Sequence, residues 1–195
     1  HRAFYGHKNK YTGLTYASDP ANIYVTAMGE DSIFNAYFNY RAKFLTDENF
    51  NDLQLKFNEF LADKYKSTKK LHQAWDGDLD SSESLESKNI ELTSAKYISR
   101  VNVKKSHDVI SFLSNIDYSY ALRVRRILDE LGYKGLFAGT NDWYGYVNLK
   151  INQDVGDFID MHGYFDPMIR HKHKGDKVEL TRNTSYISSP AKLDK

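Results

Sequence analysis

The chain has 195 residues, of which 41% are hydrophobic, so it is long enough to bury one substantial core and short for two domains. Its formal net charge is +1, from 27 basic and 26 acidic side chains, which argues against nucleic acid or an anionic membrane surface as a partner. Cysteine is absent, and this excludes disulfides, thiolate zinc sites and cysteine nucleophiles.

The N-terminal residues show no basic segment followed by an apolar one, and no run approaches the roughly 20 apolar residues that span a bilayer. We therefore expect a soluble chain, with a secreted or periplasmic location left open. Aromatic residues make up 14% of the sequence. Such rings suit stacking on sugar faces, although a core and surface that simply use Tyr heavily are the alternative.

The first 30 residues predict a loop followed by a strand. Residues 9–20 are rich in turn formers, and Pro20 disfavours a helical conformation at the residue before it. The run 23–28 is rich in β-branched and aromatic residues, which predicts a strand buried on both faces. Because Gly29 bounds this run, Glu30 is expected at the carboxyl end of the strand.

The middle of the chain is predicted to be mainly helical. Apolar residues recur at helical spacing over 32–44 and 48–65, and again over a long amphipathic stretch, 106–131. The segment 77–88 is rich in Asp, Ser and Glu and has no periodicity, which predicts a surface loop.

Two further runs, 135–140 and 158–162, predict buried strands that end near the polar residues Asn141 and His162. A strand, a long helix and a second strand are the arrangement of βα units in a parallel sheet. In barrels built from such units, the chemistry gathers at the carboxyl ends of the strands. From residue 169 onward the sequence predicts a polar excursion.

A series of short motifs follows along residues 7–168. They are Asn-Lys-Tyr-Thr-Gly-Leu at 9–14, Asp-Pro-Ala at 19–21, Gly-Glu-Asp-Ser at 29–32, Gly-Thr-Asn at 139–141 and His-Gly-Tyr at 162–164. In this order they resemble the retaining (β/α)8-barrel glycoside hydrolases of the cellulase and mannanase type. Members of that group commonly show N-P-Y-T-G, then D-P-A, then a fourth strand ending in N-E, and later an H-x-Y signature.

The resemblance implies an α/β fold, a partial TIM (β/α)8 barrel truncated at both ends, with 1–195 as a single, incomplete catalytic domain. It implies a glycosidase that cleaves β-linked glycans, with Glu30 as the general acid/base and an oligosaccharide or polysaccharide as the partner. The nucleophilic glutamate is expected on a seventh strand, after Lys195, so the chain alone is expected to be inactive. No cofactor is implied.

Glu30 also has a plainer interpretation, as a surface carboxylate at the start of a helix. In the catalytic role its pKa must be raised toward neutrality so that it can donate a proton. One departure from the family pattern stands beside it, since Gly29 occupies the position where family members place Asn. That Asn typically holds the 2-hydroxyl of the sugar, a contact that strengthens in the transition state.

Five further residues are candidates for substrate binding. Asn141 offers an amide for a sugar hydroxyl, but it is equally an ordinary turn or cap residue. By resemblance, His162 contacts substrate and Tyr164 hydrogen-bonds the nucleophile, whereas a lone histidine near a strand end is often purely structural. Trp143 and Trp75 are candidates for stacking on pyranose rings, with buried packing as the alternative for Trp75.

The sequence predicts no metal site. His171 and His173 lie among lysines, which disfavour a cation, and the acidic run around Asp78 and Asp80 lacks the glycine and terminal glutamate of a calcium loop. Two other functions compete with hydrolysis. One is a non-catalytic carbohydrate-binding barrel, favoured by Gly29, and the other is a structural or interaction domain unrelated to sugars. The sequence does not predict an oligomeric state.

Overall fold

A computed structural model of the chain describes residues 1–29, 32, 33, 37, 45–93, 101–141 and 145–160. Contacts between Cα atoms group His1–Asp160 into one compact unit and Met161–Lys195 into a second, whose residues lie outside the described ranges. The expectation of a single domain over 1–195 stays a prediction.

The described part contains five helices and two strands. In chain order they are α1 (Arg2–Tyr5), β1 (Tyr24–Met28), α2 (Asp47–Tyr65), α3 (Thr68–Ala74), α4 (Val103–Glu130), β2 (Leu136–Thr140) and α5 (Gly145–Val155). The predicted strands at 23–28 and 135–140 and the predicted helices at 48–65 and 106–131 are confirmed, with ends shifted by up to three residues. Most of the predicted helix at 32–44 lies outside the described residues.

Local signals explain where the long helices begin. The Thr46 side chain accepts a hydrogen bond from the backbone N–H of Asn49, and Asp47 adds a negative charge in the first turn of α2. Asn102 caps α4 in the same way, through the N–H of Lys104 at 2.8 Å. After α4, Gly132 adopts a positive φ of 77°, which turns the chain back toward β2.

β1 and β2 are parallel neighbours, and the described part of the connection between them contains α2, α3 and α4, which makes an enlarged βαβ unit. The register pairs Tyr24 with Leu136 and Met28 with Thr140, so the two strands end at the same level. Phe137 and Ala138 are fully buried, while Tyr24 and Leu136 are each about half exposed. The strands are therefore buried toward their carboxyl ends. The sequence predicted that β1 is buried on both faces, and this is wrong for Tyr24.

The expectation of a partial (β/α)8 barrel is wrong. The sheet formed by the described residues has two strands. A barrel wall would need a third strand beside β2, but the free edge of β2 bonds to Asp157 and to the Asn152 side chain. The strand predicted at 158–162 is not found over 158–160, the part of it that the structure describes, because these residues have no regular secondary structure.

The core of the unit is divided into clusters that meet along α4. The largest lies between α2, α3 and α4 and includes Phe57, Leu61, Leu71, Trp75 and Leu113. The others lie where α4 crosses the sheet, around Phe137 with Leu128 and around Met28 with Ala121 and Ile151. Among the described helices, none has the length and apolar character needed to cross a membrane.

Candidate active site

The candidate site lies at the carboxyl ends of the paired strands. The backbone N–H of Asn141 donates to the carbonyl of Met28 at 3.3 Å, which extends the pairing one residue beyond β2. Gly29 directly follows Met28, and a Cβ built on it meets none of the described residues within 4 Å. The carboxyl ends of β1 and β2 therefore share one edge.

Asn141 carries an unsatisfied polar atom at this edge. Its Oδ1 is buried, and among the described residues no donor reaches it. A buried acceptor without a partner costs free energy, so such atoms usually bond to water, to an ion or to a ligand. Asn141 can therefore accept a hydrogen bond from a hydroxyl group brought to the end of β2.

Asn152 on α5 fixes the end of β2. Its Oδ1 accepts hydrogen bonds from the backbone N–H groups of Gly139, at 2.7 Å, and of Thr140, at 3.2 Å. Its Nδ2 donates to the carbonyl of Thr140 at 2.7 Å and to Oδ1 of Asn148 at 3.0 Å. Both asparagines are fully buried. The amide thus takes the place of a neighbouring strand and holds the backbone immediately before Asn141.

Asp160 connects Asn148 and Asn152 of α5 to β1. Its carboxylate accepts from the hydroxyl of Thr26 at 3.2 Å, and its backbone carbonyl accepts from the amides of Asn148 and Asn152 at 3.4 Å each. Asp160 is consequently hydrogen-bonded both to the Thr26 side chain of β1 and to two side chains of α5.

A second polar contact involves the chain that follows β1. The carboxylate of Asp117, on α4, accepts a hydrogen bond of 2.9 Å from the backbone N–H of Ile33. Asp117 is 3% exposed, so this is a buried, charge-assisted contact to the chain shortly after the strand.

Sequence reasoning missed Asp117, Asn148 and Asn152. A signal for the asparagines exists in retrospect, because two residues that disfavour helix interiors stand four apart within α5. Asp117 gave a comparable signal, since it stands four residues from both Leu113 and Ala121 on the apolar face of α4.

The sequence-predicted site residues fall into two groups. Glu30, Trp143, His162 and Tyr164 lie outside the described residues. Asn141 and Trp75 are described, and the structure does not bring them together in one cluster. Trp75 belongs to the core between α2, α3 and α4, where it is 0% exposed. As placed, its ring has no face open to a sugar, which agrees with the packing alternative.

Trp75 belongs to a buried polar network around Asp108. Its Nε1 donates to Oδ2 of Asp108 at 2.8 Å, and the hydroxyl of Tyr65 donates to the same oxygen at 2.7 Å. Burial and then the hydrogen bond to Asp108 raise the pKa of Tyr65. Burial lowers the pKa of Lys64, but its hydrogen bond and attraction to Asp108 outweigh this, so the pKa is raised. The network joins α2, α3 and α4.

The acidic segment near residue 80 shows turn and cap contacts. The Asp80 carboxylate accepts from the N–H and the hydroxyl of Ser82, and these bonds lower the pKa of Asp80. Asp78 accepts from the backbone N–H of Asn102 at 2.6 Å. Across the described ranges, no group of three or more His, Asp or Glu side chains is arranged to hold a metal ion.

Comparisons of the chain with protein-family models, with curated proteins and with solved structures find no match.

Proposed function

We propose that the protein is a retaining glycoside hydrolase acting on β-linked glycans, with Glu30 as the general acid/base. The observation that supports this proposal most directly is the shared edge of β1 and β2. Met28 and Asn141 are bonded there through their backbones, and Glu30 is the second residue after Met28 in the sequence.

The chemistry requires two carboxyl groups on either side of the scissile bond. One protonates the leaving oxygen and the other attacks the anomeric carbon, and in retaining enzymes the two carboxyl groups are about 5 to 5.5 Å apart. The proposal gives Glu30 the first role. In the second step the same group accepts a proton from the water that releases the sugar. The family resemblance assigns the attacking carboxylate to no residue of this sequence.

Asn141 supports a sugar-binding role for the same edge. Its Oδ1 is a buried acceptor without a donor among the described residues, and a sugar hydroxyl is a donor of suitable size. Asn152 holds the backbone of Gly139 and Thr140, so the strand end that carries Asn141 is ordered before substrate binds.

A non-catalytic carbohydrate-binding protein is the second candidate, and Gly29 is the observation that favours it. At this position the related hydrolases have Asn, whose contact to the 2-hydroxyl strengthens in the transition state. Without that side chain, the edge keeps the Asn141 acceptor for a sugar but loses this transition-state contact to the 2-hydroxyl.

The test compares Glu30→Gln with wild type in the full-length natural protein, on aryl β-glycosides and on β-linked polysaccharides. We expect a loss of at least about 100-fold in kcat on substrates with poor leaving groups, because no proton is donated. Glu48→Gln is the matched control, since Glu48 is exposed in the first turn of α2. It should keep the wild-type rate.

Two further readouts separate the candidates. Azide, a nucleophile that needs no general base, should restore turnover of an activated aryl glycoside by Glu30→Ala, and proton NMR should show retention at the anomeric carbon. Equal turnover by wild type and Glu30→Gln would remove Glu30 from catalysis. Binding of oligosaccharides without any turnover would favour the carbohydrate-binding alternative.

A further inference from the structure

Residues 8–15 form a tight hairpin, called here the Tyr11 hairpin. An antiparallel bridge between Lys8 and Thr15 closes it. Inside the turn, Oδ1 of Asn9 accepts a hydrogen bond of 2.9 Å from the backbone N–H of Tyr11, which is the geometry of an Asx turn. The backbone of the hairpin is therefore fixed by bonds within the hairpin itself.

Tyr11 lies at the tip of this hairpin and is 85% exposed. Apolar surface stabilises a fold in proportion to the area buried, so a ring this exposed contributes little to folding. The turn is made by Asn9 and by Gly13, whose φ is 71°, and it does not require an aromatic side chain at position 11. A rigid ring on a preformed hairpin suits binding, because little conformational entropy is lost when a ligand stacks on it.

Two lysines flank the exposed ring, and both keep their charge uncompensated. Nζ of Lys10 lies 4.8 Å from the centroid of the Tyr11 ring, and Lys8 is exposed at the base of the hairpin. Residues 1–18 contain no Asp or Glu, and among the described residues no carboxylate forms an ion pair with either lysine. The Tyr11 hairpin therefore presents positive charge beside an open aromatic surface.

A second exposed aromatic pair belongs to the same N-terminal region. The rings of Phe4 and Tyr16 are stacked, with centroids 4.8 Å apart and planes inclined by 6°. They are 58% and 45% exposed, and Tyr16 directly follows Thr15, which closes the hairpin. Aromatic surface is thus not limited to Tyr11, which suits an oligomer better than a single sugar.

We propose that the Tyr11 hairpin binds a glycan that carries uronic acid units. The C–H face of a pyranose ring stacks on Tyr11, and uronate carboxylates accept charge-assisted hydrogen bonds from Lys8 and Lys10. A neutral sugar leaves both cations without partners, whereas a carboxylate complements them. The inference names a class of glycan, so it rests on the glycan-binding part of the proposed function and does not depend on the role of Glu30.

The experiment measures affinity by titration calorimetry in the full-length natural protein. The probe is an oligomer of β-linked mannuronic acid, and an oligomer of β-linked mannose of the same length is its neutral counterpart. We expect wild type to bind the acidic oligomer at least about 5-fold more tightly at low salt. This preference should shrink as salt is raised, because exposed charges are screened.

Tyr11→Ala should weaken binding of the acidic oligomer at least about 5-fold, whereas Tyr11→Phe, which keeps the ring, should stay within about 2-fold of wild type. Tyr24→Ala is the matched control, since Tyr24 is also an exposed tyrosine, at 52%, but lies at the start of β1. It should keep the wild-type affinity. The melting temperature of Tyr11→Ala should be unchanged, because the ring is not packed in the fold.

Replacing Lys8 and Lys10 together by glutamine should remove the preference for the acidic oligomer and its salt dependence. The same double replacement at Lys69 and Lys70, which are exposed on α3, is the control for a change in net charge. It should leave the preference intact.

The outcomes are distinct. Wild-type affinity in Tyr11→Ala overturns the inference, and so does an equal loss in Tyr24→Ala. Failure of wild type to bind the acidic oligomer, equal affinity for both oligomers, or tighter binding of single-stranded DNA also overturns it. Equal turnover by wild type and Glu30→Gln overturns the proposed hydrolysis, while a loss of affinity in Tyr11→Ala in the same protein still supports this binding surface.

Discussion

Asp157 and Phe137 form a reciprocal pair of hydrogen bonds at the free edge of β2. The backbone N–H of Asp157 donates to the carbonyl of Phe137 at 2.7 Å, and the N–H of Phe137 donates to Oδ2 of Asp157 at 2.8 Å. Arg125 of α4 donates to the same carboxylate oxygen at 2.6 Å. A single residue outside any strand thereby satisfies this part of the sheet edge and ties it to α4.

This geometry predicts a pH-dependent contribution of Asp157 to stability. The hydrogen bond from Arg125, with that from Phe137, holds the pKa of Asp157 below its ordinary value of 3.8. A carboxyl whose pKa is lower in the folded state stabilises the fold above its unfolded pKa, and this contribution is lost as pH falls through the folded pKa. Asp157→Asn should therefore destabilise the protein at pH 7 and much less at pH 3.

Urea unfolding at the two pH values measures the difference. We expect about 1 kcal/mol at pH 7, a value discounted because the side chain is 34% exposed. Asp154→Asn is the control, since the Asp154 side chain is similarly exposed, at 30%, and pairs with Lys150 within α5. It should change stability by less than about 0.5 kcal/mol. A deficit for Asp157→Asn that is equal at both pH values would contradict the linkage.

The same residue shows where sequence patterns stop being informative. The βαβ unit could be predicted because its strands are short apolar runs and α4 has a continuous amphipathic period. The apolar pair Phe158 and Ile159 also looks like the start of a strand. Periodicity does not reveal which groups satisfy the edge of β2, and here the polar side chains of Asp157 and Asn152 do so.

The candidate site could be predicted in part for a related reason. Asn141 follows from the position where β2 ends, since strand ends are visible in the sequence. Asp117 and Asn152 are polar residues on helices, which usually face solvent, and their burial depends on packing partners far away in the chain. Trp75 had two interpretations that composition could not separate, because both bury aromatic surface.

Asn152 should be among the most sensitive polar residues of the fold. Asn152→Ala leaves the buried N–H groups of Gly139 and Thr140 and the carbonyl of Thr140 without the bonds that the amide makes. We expect a loss of about 2 to 4 kcal/mol in the free energy of unfolding. Gln153→Ala, at the exposed next position of the same helix, should change it by less than about 0.5 kcal/mol. Similar losses of unfolding free energy in the two variants would show that the hydrogen bonds of the Asn152 amide contribute little to stability.

Substitution by alanine should change the stability of the protein at one of two glycines near the strand ends and leave it nearly unchanged at the other. A Cβ on Gly139 would lie 2.5 Å from Cγ2 of Ile151, so α5 would have to move away from β2. Gly139→Ala should cost about 1 to 3 kcal/mol, whereas Gly29→Ala, where the new methyl meets none of the described residues within 4 Å, should be close to neutral. Thermal unfolding of both variants checks this, and a stable Gly139→Ala would contradict the tight packing.

Trp75→Phe should affect stability without affecting glycan binding. The variant removes the N–H that donates to Oδ2 of Asp108, a carboxylate that is 1% exposed. We expect a loss of about 1 to 3 kcal/mol in the free energy of unfolding. Oligosaccharide affinity, measured by titration calorimetry on the folded variant, should be unchanged because Trp75 is 0% exposed. Weaker binding by Trp75→Phe than by Trp143→Phe would show instead that Trp75 contacts the sugar.

Gly29→Asn is the change that most directly tests the family resemblance. The hydrolases that the sequence resembles have Asn immediately before the acid/base, and a Cβ on Gly29 meets none of the described residues within 4 Å. The φ of Gly29 lies outside the left-handed region, so an L-residue introduces no backbone strain there. The amide would then stand next to Glu30 in the sequence, where the family uses it to hold the 2-hydroxyl.

In the full-length protein, we expect Gly29→Asn to raise kcat/KM by about 10-fold, which corresponds to about 1.4 kcal/mol of added transition-state stabilisation. Substrates that lack the 2-hydroxyl should gain nothing, since the amide then has no partner. Gly29→Ala separates this effect from the loss of glycine freedom and should stay at the wild-type rate. Equal rates for the Asn and Ala variants on 2-hydroxy sugars would mean that the edge beside Glu30 does not bind the sugar in the orientation that the resemblance implies.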